Sequence, residues 1–124
     1  MSVTIARPDA PNHYMVLRPI NRRVVVRLPD DTIVADTNKA TRLLEHGRTL
    51  YDPVVYLPSD AIKIPLNKQE KSTHCPLKGD ASYFSYSGED DLAWSYLKPL
   101  EFSLEIAGLI AFYSNKVIIE EHPI

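Results

Sequence analysis

The chain has 124 residues, of which 44% are hydrophobic and 24% charged, and its net charge is −2. This length fits a single domain spanning 1–124, because it leaves no room for a second hydrophobic core, and the apolar content excludes wholesale disorder. The only Cys excludes an internal disulfide, so we expect a cytoplasmic protein. With no basic excess and no apolar stretch of about 20 residues, we expect neither a nucleic-acid nor a membrane partner.

The distribution of Pro and of β-branched residues predicts a mainly β fold. Ten Pro residues leave few windows for an uninterrupted helix, and β-branched and aromatic residues alternate between them. Residues 1–21 are expected to form an N-terminal extension, packed on the domain or loosely attached to it. The first predicted hairpin pairs Val24–Leu28 with Thr32–Ala35 around a turn at Pro29-Asp30-Asp31.

The middle of the chain is predicted to hold short elements. Thr37–Gly47 is compatible with a short helix or with a strand, and its neighbours favour a strand. Val54–Leu57 is predicted as a short strand between two Pro residues, and 58–62 as a one-turn helix with Ser59 as its N-cap. The polar segment Lys68–Ser72 is predicted to be an exposed loop.

Two strand pairs complete the predicted fold. Tyr83–Ser87 and Ala93–Tyr96 form one pair around a loop at Gly88–Asp91, and Leu109–Tyr113 and Val117–Glu120 form a last hairpin. The fold class is therefore a single compact β domain of short antiparallel strands with at most short helical turns. Because small β domains must protect their sheet edges, a homodimer through an uncovered edge is one prediction.

The segment Thr73–Asp80 concentrates reactive side chains. Within seven residues it contains an imidazole, a thiol, an ammonium and a carboxylate: His74, Cys75, Lys78 and Asp80. Pro76 favours an extended Cys75, so His74 and Cys75 should point to opposite sides of a strand and should not form a Cys–His pair. A base for Cys75 would then come from His13, His46, His122 or a carboxylate.

Simpler interpretations apply to the same residues. Cys75 fits a small buried hydrophobic residue, and His74 fits a hydrogen-bonded scaffold residue. Lys78 and Asp80 converge on a polar ligand or pair with each other across a turn that Gly79 permits. Neither CxxC nor HxxxH spacing is present, and neither is a phosphate-binding glycine motif, so no metal and no cofactor are expected.

Aromatic residues cluster near this segment in the sequence. Eight of the eleven lie between Tyr83 and Tyr113, and four of these eight are Tyr. A buried Tyr hydroxyl needs a hydrogen-bond partner, so this choice of residues favours a polar cleft beside the core. The alternative is that the rings are simply the core of a small β domain.

The order of these blocks resembles a bacterial and fungal family called domain of unknown function 427. The matching blocks are Ile33–Thr37, Leu44–Gly47, Pro53–Pro58, Thr73–Ala81, Ala93–Tyr96 and Ile106–Tyr113. The resemblance runs from about residue 22 to 121, and His-Cys-Pro-x-Lys-Gly followed by Ala-Trp-x-Tyr and Ala-Phe-Tyr is its most specific part.

The resemblance implies an all-β domain similar to the β-tent architecture of the Mss4-like and methionine sulfoxide reductase B folds. Members of that wider group bind zinc through paired CxxC motifs, which this chain lacks, so a zinc role is not carried over. The family has sometimes carried a nucleotidyltransferase-like label, but the chain shows no Gly-Ser and paired-Asp metal signature. The positions matching the recurrent motif are Glu45, Tyr56, His74, Cys75, Lys78, Gly79, Trp94, Tyr96 and Tyr113.

Three functions are compatible with these residues. The first is a binding domain for a small polar ligand such as a sugar, nucleoside or carboxylate metabolite, with the motif positions and Asp80 as candidate ligand-binding residues. The second is an enzyme that uses Cys75 as nucleophile or redox thiol, with His74 or Lys78 assisting proton transfer. The third is a structural or interaction protein in which the motif serves folding alone. The catalytic residues of the second are not identified by the sequence.

Overall fold

The structure is a computed structural model that describes all residues 1–124, and it consists of eleven β-strands and two short 3₁₀ segments. The 3₁₀ segments are Ser59–Ala61 and Glu101–Ile106. The strands are β1 (Val3–Arg7), β2 (Ala10–Pro19), β3 (Arg23–Arg27), β4 (Ile33–Thr37), β5 (Thr41–His46), β6 (Val54–Leu57), β7 (Asn67–Cys75), β8 (Gly79–Tyr86), β9 (Glu89–Ser95), β10 (Ile110–Phe112) and β11 (Ile118–His122). No helix is long and apolar enough to cross a membrane.

The strands form two antiparallel sheets. The larger has eight strands in the order β1-β2-β5-β6-β10-β9-β8-β7, and the smaller has three in the order β11-β3-β4. The predicted mainly β fold of short antiparallel strands is therefore confirmed. The first 21 residues supply β1 and β2, and β2 pairs with β5 so that Met15 lies opposite Glu45 and is fully buried.

Side-chain alternation gives the larger sheet two different buried faces. In β6, Leu57 packs with Val24 and Val34 of the smaller sheet, whereas Tyr56 points to the opposite face. That opposite face carries Met15 and the other members of a second core, and it is covered by Leu77 and by the 3₁₀ segment Glu101–Ile106. The candidate site lies on this second face.

Several local predictions are confirmed. The hairpin of β3 and β4 is present, as are β6 and the β8–β9 pair, and the ambiguous segment 37–47 contains strand β5. The turn between β8 and β9 lies at Ser87-Gly88, so the acidic run Glu89-Asp90-Asp91 begins β9 and is not the turn we predicted.

The predicted last hairpin is wrong. β10 lies between β6 and β9 in the larger sheet, whereas β11 pairs with β3 in the smaller one. Ala111 and Phe112 are buried on opposite faces, which requires a central strand, whereas Ile118 is exposed on an edge strand. The five residues 113–117 therefore carry the chain from one sheet to the other.

Two further predictions are corrected. Lys68–Ser72 is not a loop but part of β7, and its polar side chains reflect the exposure of this edge strand. A 3₁₀ turn does occupy 59–61, but Pro58 holds the N-cap position and no side chain caps it, so Ser59 is not the N-cap.

Candidate functional site

A buried carboxylate at the end of β5 is the centre of the candidate site. One Glu45 oxygen accepts a hydrogen bond from Lys78 Nζ, and the other lies 2.8 Å from His13 Nε2. Only 9% of Glu45 and 7% of Lys78 is exposed. His13 of β2 and Glu45 of β5 meet because their side chains point to the same face of the sheet. Met15 and Leu43, two residues away on each strand, point to that face as well.

Lys78 reaches Glu45 because the β7–β8 turn is held against the 3₁₀ segment. The Leu100 backbone N–H donates to the Lys78 carbonyl at 3.0 Å, and Ser103 Oγ donates to the Leu77 carbonyl at 2.6 Å. Gly79 has φ +107, and a Cβ at this position would lie 3.1 Å from the Leu100 nitrogen. Glycine is therefore needed here for the turn that directs Lys78 inward.

Glu45 is ionised in this environment. Burial raises the pKa of the Glu45 carboxyl, but the Lys78 ammonium and the hydrogen bonds from Lys78 and His13 lower it by more, so the net shift is downward. Because a carboxylate only accepts hydrogen bonds, His13 Nε2 must be the donor at 2.8 Å. Glu45 thereby fixes the orientation of the His13 ring.

Cys75 joins this cluster at the end of β7. Its Sγ, a ring nitrogen of His13 and a carboxylate oxygen of Glu45 all lie within 4.8 Å of one another. His74 points the other way, is exposed, and places its Nδ1 2.8 Å from Asp80. The predicted opposition of His74 and Cys75 is confirmed, and His13 is the histidine that lies beside the thiol.

Lys78 and Asp80 neither pair with each other nor converge on one site, the two alternatives that the sequence left open, because each has another partner. Lys78 pairs with Glu45 in the interior, whereas Asp80 pairs with His74 at the surface. Gly79 between them contributes backbone geometry. His74 and Asp80 therefore lie outside the cluster around Glu45, on the other side of β7 and β8.

Aromatic side chains extend the cluster along the same face of the sheet. Lys78 Nζ lies 5.5 Å from the centre of the Tyr96 ring. Trp94 Nε1 donates to the Tyr56 hydroxyl at 3.1 Å, and the Trp94 ring is 4.6 Å from that of Tyr113. The rings thus belong to the packed core and at the same time satisfy polar groups within it.

The phenols of this face are neutral at physiological pH. Burial raises the pKa of Tyr56 and of Tyr96. Burial, followed by the neighbouring Tyr83, raises the pKa of Tyr113 to about 12. These hydroxyls can therefore donate and accept hydrogen bonds, but they do not serve as anionic bases.

A cleft of about 480 Å³ opens beside His13 and Pro76. Its lining is polar and basic: Arg7, Ala10, Asn12, His13, Gly47, Arg48, Tyr51 and Pro76. Arg7 pairs with Asp9 at 3.0 Å, whereas the exposed Arg48 forms no salt bridge with a carboxylate. The cleft thus connects solvent to the edge of the cluster around Glu45.

A larger cleft of about 660 Å³ lies elsewhere and contains none of the predicted site residues. Its lining includes Arg18, Arg22 and Arg42, but Arg42 already donates to both oxygens of Glu121 at 2.9 and 2.8 Å. Size alone therefore does not identify the functional cleft. The cleft beside His13 is favoured because it borders the cluster of Glu45, Lys78, His13 and Cys75.

Sequence reasoning found the cluster only in part. Of the candidate residues, Glu45, Cys75, Lys78 and Tyr96 converge, and Tyr56, Trp94 and Tyr113 continue the same face. His13 was named only as one of several bases for Cys75. The basic lining residues Arg7 and Arg48 were missed, and the alternation of His13, Met15 and Leu17 is the sequence signal that would have placed β2 on this face.

A family model described as Domain of unknown function (DUF427) matches residues 16–122, from within β2 to the last strand. No curated protein matches the chain.

Proposed function

The chain belongs to the domain of unknown function 427 family, and we propose that it binds a small anionic ligand, such as a carboxylate metabolite, in the cleft beside His13 and Pro76. The observation that carries this proposal is the basic lining of a cleft that borders the Glu45–Lys78–His13 cluster. Small-molecule sites are concave, with a few well-placed polar groups that orient the ligand.

The buried charges support a role beyond packing. Removing Glu45 and Lys78 from water costs several kcal/mol per ion, and well-packed hydrophobic residues of similar volume often stabilise a protein as much or more. Neither charge lines the cleft, but His13, which donates a hydrogen bond to Glu45, does. A ligand-binding role explains why an ion pair is present at this point of the core.

The lining groups define the chemistry of the ligand. Arg48 offers a planar guanidinium without a competing carboxylate, which suits bidentate binding of a carboxylate or phosphate. His13, Asn12 and the Tyr51 hydroxyl add hydrogen-bonding groups around the same space. A volume of about 480 Å³ fits a small metabolite rather than a polymer.

A thermal-shift screen of small carboxylates and phosphates tests the proposal. A ligand at 100 times its Kd stabilises the folded state by about 2.7 kcal/mol, which raises the Tm measurably. We expect Arg48→Ala to abolish the shift and Arg22→Ala, in the larger cleft, to retain it. A screen without a stabilising compound, or shifts that survive Arg48→Ala, would favour the structural alternative in which the motif serves folding alone.

A second candidate function is an enzyme with Cys75 as nucleophile. The observation in its favour is that the thiol lies within 4.8 Å of a ring nitrogen of His13, whose ring is oriented by Glu45, so an imidazole is available near the thiol. A redox cycle would need a second thiol, and the chain has only one.

Alkylation of Cys75 by iodoacetamide across pH tests the second candidate. A reactive thiolate should be alkylated in the folded protein at neutral pH, and His13→Gln should slow the reaction. A thiol that reacts only after unfolding would contradict this function.

We propose three further properties, which concern location, oligomeric state and nucleic acid. We infer a cytoplasmic location from the lone thiol, which suits a reducing compartment. A homodimer would form by pairing of β1 or β7, the two edges of the larger sheet, and light scattering across a concentration series measures it. No nucleic-acid partner is expected from the net charge of −2.

A further inference from the structure

We propose that His13, Glu45 and Cys75 form a binding site for a divalent metal ion of the zinc class. The three residues come from β2, β5 and the end of β7, and their ligand atoms lie within 4.8 Å of one another. This inference goes beyond the proposed anion binding and does not depend on it.

The geometry requires only small side-chain movements. Zinc binds nitrogen, oxygen and sulfur at about 2.0–2.3 Å, so ligand atoms of a tetrahedral site lie roughly 3.5 Å apart. The His13 and Glu45 atoms now joined by a 2.8 Å hydrogen bond would separate by about 0.7 Å, and the thiol would move closer. Because β2 and β5 are directly paired, the backbone already holds two of the ligands side by side.

The donor set suits zinc rather than magnesium or calcium. A thiolate and an imidazole are ligands that zinc prefers, whereas the harder cations take oxygen. The thiolate of Cys75 and the carboxylate of Glu45 together balance the charge of a dication. Metal binding would release the proton of the Cys75 thiol, and the neutral His13 ring would carry its one proton on Nδ1, which leaves Nε2 free to bind the ion.

Lys78 would act on the metal through Glu45. Its ammonium binds the Glu45 oxygen that does not contact His13, so it can stay in place as a hydrogen-bond donor to a ligating carboxylate. Its positive charge also opposes a nearby dication, which should make binding weaker than in a closed structural zinc site.

Three protein ligands leave one tetrahedral position open. In zinc proteins this arrangement is typical of sites that bind water or a substrate, whereas structural sites use four protein ligands. The cleft lined by His13 and Pro76 borders the cluster and would give solvent or a small molecule access to that position. The inferred site is therefore an open one.

Titration of chelator-treated protein with Co²⁺, followed by displacement with Zn²⁺, tests the inference. We expect one equivalent of Co²⁺ to give the near-ultraviolet absorption of a cobalt–thiolate bond, and Zn²⁺ to abolish it. Cys75→Ser should remove the absorption, and His13→Gln and Glu45→Gln should each weaken binding more than tenfold. His74→Gln is the control, because His74 lies on the exposed side of β7. It should leave both the absorption and the affinity for Co²⁺ unchanged.

The spectrum of the wild-type protein tests the inference even if a variant fails to fold. Absence of a cobalt–thiolate band in the folded wild-type protein, shown by its unchanged circular dichroism, would overturn the inference. A band that persists in Cys75→Ser, or that His74→Gln removes equally, would also overturn it. Because no anionic ligand is used, failure of this test is distinct from failure of the proposed anion binding.

Discussion

Lys78 and Glu45 form an ion pair across 33 positions of the chain while about nine-tenths of each side chain is buried. The pair connects the β7–β8 turn to β5, although β6, β10 and β9 lie between β5 and β8 in the sheet. The sheet must therefore curve strongly enough to bring these strands together over one face. This contact joins the β7–β8 turn to the second core, and Glu45 is linked to the cleft through His13.

The ion pair predicts a large effect of removing one partner. Lys78→Met leaves the Glu45 carboxylate buried without its cation, and we expect a loss of about 3–5 kcal/mol in the free energy of unfolding. The double variant with Glu45→Gln should recover part of this loss, because the uncompensated charge is gone. Urea unfolding followed by the fluorescence of Trp94, the only Trp, measures both.

Lys71→Met is the matched control for that experiment. Lys71 pairs with Asp91 at 2.7 Å, but 46% of its side chain is exposed, so its removal should have a much smaller effect. If Lys78→Met destabilises the protein no more than Lys71→Met does, the importance of the buried pair is refuted.

The Tyr56 hydroxyl is expected to matter through Trp94. Tyr56→Phe removes the acceptor at 3.1 Å from Trp94 Nε1 and leaves an indole N–H without its partner, which should cost about 1–2 kcal/mol. Tyr51→Phe is the control, because Tyr51 is exposed and should change stability little. Thermal unfolding of the two variants compares them, and equal Tm values would contradict the assigned hydrogen bond.

Gly79 and Gly88 allow backbone strain to be separated from steric contact. Both have positive φ, but a Cβ at Gly79 would meet the Leu100 backbone at 3.1 Å, whereas at Gly88 nothing lies within 4 Å. Gly88→Ala should therefore cost only the strain of about 1–3 kcal/mol, and Gly79→Ala distinctly more. Chemical denaturation gives the free energy of unfolding of each variant. A Gly79→Ala variant as stable as Gly88→Ala would contradict a steric clash with the Leu100 backbone.

Buried phenols predict a stability that falls at alkaline pH. The pKa values of Tyr56, Tyr96 and Tyr113 are all raised from the ordinary 10.0, that of Tyr113 to about 12. The folded state therefore favours the neutral phenols, so this contribution to stability is complete below pH 10 and is lost as the pH rises from about 10 towards 12. Thermal unfolding at increasing pH measures the loss, and the ultraviolet absorbance of tyrosinate should report these three groups only as the protein unfolds.

A Tm that does not change between pH 9 and 11 would contradict the raised pKa values. Tyr113→Phe offers a control, because it removes one titrating group and should reduce the slope of Tm against pH in this range.

The pattern of neighbouring residues in the sequence is sufficient to predict part of the fold. The β3–β4 hairpin follows from alternating residues on either side of Pro29-Asp30, and the β8–β9 pair follows from Gly88 at its turn. The partners of β10 and β11 depend instead on which face of each strand is buried by distant strands. The sequence around Ser114–Lys116 is typical of a hairpin turn, but it lies in the segment 113–117 that connects two sheets.

The site shows the same division between local and distant information. The opposite orientations of His74 and Cys75 follow from extended backbone before Pro76, and they were predicted. The proximity of Cys75 to His13 depends on the pairing of β2 with β5 and on the curvature of the larger sheet, neither of which a single sequence displays. Metal-ligand spacing was uninformative for the same reason, since the three residues lie on separate strands.

The proposed binding of a small anion beside His13 can be measured directly on the four His rings. Their nuclear magnetic resonance signals can be followed while a series of mono- and dicarboxylates is titrated into the protein. We expect a saturable shift of the His13 ring, abolished by Arg48→Ala, and no shift of the His122 ring in the smaller sheet. A His13 signal that does not change, or that changes no more than that of His122, would contradict the claim.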